Sequence, residues 1–158
     1  MGTRGREGRA GWIQPSQLLW KLSDAARQRR EAKTLAAHTA LGRRGEDVAH
    51  RYLRSAGYAV VARNYRPGGG QAEVDIVARD GDTVVFVEVK ARTTDEFGSP
   101  DRAIGAEKRK HILRAARAYA TRAGIQWSQV RFDIISIVFT NPPSIIHQKD
   151  AFFEGRAR

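Results

Sequence analysis

A chain of 158 residues with net charge +11 and no cysteine excludes disulfides and thiolate metal sites, and it is long enough to bury a core without such staples. A pI near 10.8 implies attraction to polyanions, without separating DNA from RNA or anionic lipid. No stretch is long and apolar enough to span a membrane, and the arginine-bearing N-terminus lacks the apolar run of a signal peptide. A cytoplasmic protein with no membrane role is therefore expected.

Residues 1–40 read as a basic, flexible tail ahead of a domain over 41–154. Met1 to Gly11 is rich in glycine and arginine and is expected to be disordered. Ser16 to His38 carries a weak helical pattern, with Ser16 as N-cap and Leu18, Leu19, Leu22, Ala25 and Ala26 on one face. The tail holds eight Lys/Arg against three Asp/Glu, a net +5, which leaves +6 on residues 41–158. The body is therefore basic without it. A nucleic-acid-binding arm, a partner helix and an artefact of an upstream start codon are alternative readings of the tail.

The pattern becomes globular from Leu41. Gly42 to Ala56 predicts a helix, with Val48, Ala49, Tyr52, Leu53 and Ala56 on its buried face, Glu46 at the rim and Gly57 ending it. Tyr58 to Asn64 predicts a strand, and Pro67-Gly68-Gly69-Gly70 a flexible loop. Val74 to Ala78 and Thr83 to Lys90 predict two antiparallel strands around a tight turn. Thr93 to Ile104 reads as irregular. Ala106 to Ala123 predicts a second helix, with Ile112, Leu113, Ala116, Tyr119, Ala120 and Ala123 as its core stripe. Lys110, Arg114 and Arg117 form a basic stripe opposite, with Lys108 and Arg122 at its edges. Val130 to Thr140 is the strongest strand signal, Asn141-Pro142-Pro143 stops it, and Ser144 to His147 reads as a last edge strand. The order is α-β-β-β-α-β-β.

The chemistry concentrates on the central hairpin. Strand side chains alternate, so Glu73 and Asp75 share one face, as do Glu88 and Lys90. With a two-residue loop at Gly81-Asp82, Asp75 lies opposite Glu88 and Glu73 opposite Lys90. With the loop at Asp80-Gly81, Glu73 faces Glu88 and Asp75 becomes its diagonal neighbour. Either register places all four on one face. Cross-strand Cβ atoms are roughly 5 Å apart, and two carboxylates that close repel unless a cation sits between them. A hard divalent ion with oxygen ligands at about 2.1 Å, Mg²⁺ or Mn²⁺, satisfies the pair. Such an ion would bind a phosphate oxygen and acidify a water. Lys90 would orient that water or stabilise charge developing on the phosphate. The competing reading is a solvated hairpin with a Glu–Lys surface pair worth little. The nearly unbroken apolar run from Thr83 to Lys90 counts against it, because it predicts a strand buried on both faces.

Glu73-Val-Asp75-Ile followed by Val85-Phe-Val-Glu88-Val-Lys90 is similar to the PD-(D/E)XK nuclease signature. More closely, the chain from Leu41 resembles the YraN family of small bacterial proteins. The segments that carry this are Leu41-Gly-Arg-Arg-Gly45-Glu46, Tyr52-Leu53, Arg63-Asn64-Tyr65-Arg66, Glu73-Val-Asp75, Phe86-Val-Glu88-Val-Lys90, Lys108-Arg-Lys-His-Ile112 and Arg131-Phe-Asp133. They cover most of residues 41–153. The resemblance implies an α/β restriction-endonuclease-like fold, a mixed β-sheet flanked by helices, related to Holliday-junction resolvases. It implies Asp75 and Glu88 as metal ligands, Lys90 as the catalytic lysine, Glu46 as a helix-borne acid reaching the site, and Glu73 as an accessory acid. The Val89 carbonyl would also face the metal. Ala72 departs from the family pattern, which has glycine before the acid, and the loop Pro67 to Ala72 is slightly longer than usual.

Asp133, in a strongly apolar strand, reads as a supporting residue, for Lys90 or for a helix terminus, with a merely exposed strand position as the alternative. Lys108, Lys110, Arg114 and Arg117, with Arg43 on the first helix, are candidate phosphate contacts. The four histidines have no metal-ligand spacing, and the chain has no G-x-S-x-G, Walker or C-x-x-C motif. The expected activity is divalent-metal-dependent hydrolysis of phosphodiesters in DNA, with branched or junction DNA as a candidate substrate. Symmetric junction cutting would call for a homodimer. A non-catalytic nucleic-acid-binding module with a vestigial site and an RNA-processing nuclease are the alternatives.

Overall fold

The computed structural model describes residues 15–93 and 104–152. Helix α1 spans Pro15–Ser55 and α2 spans Ala106–Ala123. The strands are β1 Ala59–Tyr65, β2 Val74–Asp80, β3 Thr83–Thr93, β4 Val130–Phe139 and β5 Ser144–Gln148. The chain divides into two compact units, residues 1–38 and 39–158.

In the first unit the described segment is helical from Pro15, and residues 26–38 are exposed. Ser16 lies inside the helix and does not cap it. Of the expected apolar face, Ala26 is exposed, while the side chains of Leu18 to Ala25 lie outside the described residues. So do Met1 to Gly11, and most of the irregular segment expected over Thr93 to Ile104. The two helices expected over Ser16–His38 and Gly42–Ala56 are one helix. Thr39-Ala40-Leu41 contains no breaker, and Gly42 inside a helix costs only about 1 kcal/mol.

In the second unit the strands form a five-stranded sheet in the order β1-β2-β3-β4-β5. Only the β3–β4 pair is parallel, and α2 makes the crossover between them. This mixed sheet flanked by two helices is an α/β fold consistent with the restriction-endonuclease-like class. On one face Ala49 and Leu53 of α1 pack with Ile76, Ala78, Val85, Val87, Ile135 and Ile137. On the other, Ile112, Ala115, Ala116 and Ala120 of α2 pack with Val74, Val77, Phe86, Phe132 and Ile134. The core stripe of α2 therefore includes Ala115, while Ala123, at the helix end, is exposed. β3 is buried on both faces from Val84 to Val87, which explains its unbroken apolar run. The Pro67–Gly69 segment forms a short 3-10 turn, with Gly68 at φ 63°.

Helix α1 approaches the sheet closely at Gly45. A Cβ there would lie 2.5 Å from the Cβ of Ala91 on β3, so only glycine lets the helix sit this close. Gly45 precedes Glu46, and the close approach sets where that acid stands. Gly45→Ala should lower stability by about 1–3 kcal/mol despite alanine's better helix propensity. Ala91→Gly should relieve most of that loss, as read by urea unfolding of the single and double variants.

Candidate metal centre

The turn between β2 and β3 settles the register. Asp80 pairs with Thr83, leaving Gly81-Asp82 as the loop, and the ladder runs to Ile76–Val87. Extending this count sets Asp75 opposite Glu88. At that point Asp75 Oδ2 accepts the backbone N–H of Val89 at 2.8 Å. The other oxygen, Oδ1, faces α2, where Lys108 Nζ lies 3.8 Å away. The same ammonium is 3.1 Å from Glu88 Oε2. Glu88 continues the Phe86 side of β3, so both acids stand on the α2 face.

The pair is well shielded, with side chains 14% (Asp75) and 12% (Glu88) exposed. Burial, reinforced by the Asp75 charge, pushes the Glu88 carboxyl up to about 7, against the opposing pull of Lys108. Burial also works against the charge on Lys108, but the Asp75 and Glu88 carboxylates outweigh it and hold that ammonium above the usual lysine range. Glu88 Oε2 is a buried oxygen that accepts no well-formed hydrogen bond among the described residues, so the 3.1 Å contact to Lys108 is an ion pair only. Lys90, two residues on and half-buried, is shifted down by burial, with Glu88 opposing and Arg92 assisting.

This donor set fits a hard divalent cation. Mg²⁺ binds through one or two carboxylates, keeps several waters and takes its remaining ligands from substrate phosphates. Asp75 Oδ1 and Glu88 Oε2 would hold it. Among the described residues no third His, Cys, Asp or Glu completes a cluster with them.

The other expected acids are placed elsewhere. The Glu46 carboxylate accepts from Asn64 Nδ2 at 3.0 Å and pairs with Arg63 at 3.5 Å. Asn64 lies between Arg63 and Tyr65, whose partners on β2 are Ile76 and Val74. Glu46 thus stands at the Asp75 end of the sheet, on the α1 side. Glu73 precedes β2 and holds Arg66 at 2.6 Å. Asp133 faces α1, on the opposite side of the sheet from Lys90. It is fully buried and accepts from Arg131 Nε at 2.9 Å and Nη2 at 3.0 Å, and from the Asp150 N–H at 3.0 Å. His147 Nε2 lies 2.9 Å from its Oδ2. Asp133 therefore anchors the end of β5 and does not support Lys90.

Of the expected phosphate contacts, Lys108 is engaged with the carboxylate pair. Lys110 pairs with Glu107 at 3.0 Å, an acid one turn away, so the stripe is less purely cationic than its spacing suggests. Arg117 lies over the Trp127 ring, 4.5 Å from its centroid. Arg114 and Arg43 are exposed. Sequence reasoning missed two things. The i, i+2 spacing of Arg131 and Asp133 signalled their pairing, but His147, 14 residues from Asp133, offered no local signal. The seat of Lys108 between the acids depends on how α2 docks, which no local pattern encodes.

A model of uncharacterised protein family UPF0102 matches residues 45–137. A UPF0102 protein of Solibacter usitatus is 47% identical over 135 residues, covering 85% of this chain and 98% of its own. The chain belongs to the UPF0102 (YraN) family. Other UPF0102 proteins agree. That of Geobacter sulfurreducens is 48% identical over 114 residues, covering 71% of this chain and 88% of its own. That of Rhodococcus jostii is 43% identical over 120 residues, covering 75% and 100%. The span matched by the UPF0102 model contains Glu46, Asp75, Glu88, Lys90, Lys108 and Asp133, and stops before His147.

Removing the Asp133 carboxylate deprives the half-buried Arg131 and His147 of their shared partner. Asp133→Ala should cost about 3–5 kcal/mol in urea unfolding. Asp80 is held below its ordinary value of 3.8, first by its hydrogen bond from Arg131. A carboxylate depressed on folding stabilises above its unfolded pKa, and the contribution is lost as pH falls through the folded value. Asp80→Asn should therefore be less stable than the wild type at pH 7. The gap should close on acidification below 3.8, as followed by urea midpoints across pH.

Proposed function

We propose that this UPF0102 chain is a divalent-metal-dependent nuclease that hydrolyses phosphodiester bonds in DNA. The observation that supports it best is the half-buried Asp75–Glu88 pair, with an oxygen of each within 3.8 Å of the Lys108 ammonium and Lys90 on the same strand face as Glu88. A bound Mg²⁺ or Mn²⁺ would supply Lewis-acid activation of the scissile phosphate. The chain's own contribution is placement. The Val89 N–H fixes the Asp75 carboxylate, and Lys90 supplies positive charge where the phosphate becomes more negative. Arg43 and Arg114 would meet the flanking backbone as ionic contacts. Glu46 would act from the rim, by fixing Asn64 and Arg63. Branched or junction DNA is the candidate substrate, with a homodimer as the cutting unit.

A second reading is a nucleic-acid-binding module with an inert site. It is favoured by the seat of Lys108 between the two acids and by the lack of a third ligand among the described residues. It keeps salt-sensitive binding and loses metal-dependent cutting.

A panel of linear, flap, single-stranded and four-way DNA, with matched RNA, separates these readings. With Mn²⁺ or Mg²⁺ the wild type should nick at least one DNA substrate, and Asp75→Ala should fall to background on all of them. Cutting that persists in Asp75→Ala sinks the assigned site. Binding without cutting under every metal condition favours the inert module.

A further inference from the structure

Three side chains from three elements meet at the cation position, and their bonding is unequal. Asp75 is committed through Oδ2 to the Val89 N–H at 2.8 Å, so its carboxylate is anchored whatever happens at Oδ1. Glu88 Oε2 has the Lys108 ion pair and no well-formed hydrogen bond among the described residues. The Lys108 ammonium therefore faces the two oxygens that a divalent ion would use, at 3.8 and 3.1 Å. Lysine is a strongly hydrated point charge on a flexible four-carbon stem, without the fork that locks arginine onto a carboxylate. Its side chain is 38% exposed, which gives it a way out to solvent. Its withdrawal breaks no backbone ladder and leaves Asp75 in place.

We propose that Lys108 is the resident counter-ion of the Asp75–Glu88 pair, holding the cation position until a divalent metal displaces its ammonium toward a substrate phosphate. The inference rests on the metal-centre reading above and assigns Lys108 a positioning role within it. It follows that metal and DNA favour each other's binding, because the ammonium released by one is a phosphate partner for the other, and such coupling is reciprocal.

Electron paramagnetic resonance of Mn²⁺ with the full chain tests this, without nucleic acid and with a phosphorothioate duplex that resists cleavage. Lys108→Gln should bind Mn²⁺ about tenfold more tightly than the wild type without DNA, the size expected for losing one partly screened ionic competitor. The duplex should tighten Mn²⁺ binding in the wild type and much less in Lys108→Gln. Equal or weaker Mn²⁺ binding by the variant overturns the proposal and leaves the metal centre standing. Failure of wild type and variant alike to bind Mn²⁺ overturns both. A readout on the unaltered chain guards against misfolding: Mg²⁺ should move the NMR signal of the Lys108 ammonium, and a signal unmoved at saturating Mg²⁺ overturns the proposal.

Discussion

Two half-buried carboxylates facing each other across a hairpin cannot both stay comfortably charged without a cation, and the charged end of this domain is organised around that constraint. Asp75 and Glu88 are nearly out of solvent, Glu88 is pushed up to about 7 by burial and its neighbour, and an ammonium from a separate helix is drawn against both. The arrangement is costly in a metal-free protein, since desolvating charge is repaid only by close partners. A site that concentrates negative potential in this way is a poor structural bridge and a suitable seat for a hard ion.

The opposite face of the sheet resolves a similar problem differently. Asp133 is more deeply buried than either acid, yet its carboxylate is satisfied by a guanidinium, an imidazole and a backbone N–H. It ties β5 to β4, and Arg131 extends the network to Asp80 and Tyr58 at 3.0 and 3.1 Å. One face thus has a closed polar network, and the other leaves Glu88 Oε2 without a hydrogen-bond partner among the described residues. The contrast lies in the partners, because burial alone would rank Asp133 first.

Much of this was legible in the residues. Apolar alternation and turn chemistry locate α2 and all five strands to within a few residues, and the unbroken run from Val84 to Val87 announces a central strand. The hairpin count anticipated Asp75 opposite Glu88 once the loop was known to be Gly81-Asp82. Other features were not legible, for identifiable reasons. Thr39-Ala40-Leu41 read as a gap between two helices, but a change of composition does not break a helix, even though the two compact units do meet at residues 38 and 39. Alternation was extended to Glu73, one residue before the expected and observed start of β2 at Val74, and there Arg66 claims the acid. Support of Lys90 was one of the roles open to Asp133, but strand parity puts it on the other face, with a histidine far along the chain. Docking of α2 decides the partner of Lys108, and docking is a tertiary outcome.

The Gly81-Asp82 turn has a consequence beyond its own geometry. Exposed two-residue turns are ordinarily where chains tolerate insertions during evolution. Here the turn acts as a ruler for two acids five residues down the strands, about 16 Å away at the usual strand rise. A single added residue that slipped one strand against the other would send Asp75 or Glu88 to the opposite face, together with the core side chains of that strand. An exposed turn that touches no ligand would thereby be held to a fixed length as strictly as the acids are held to their identity.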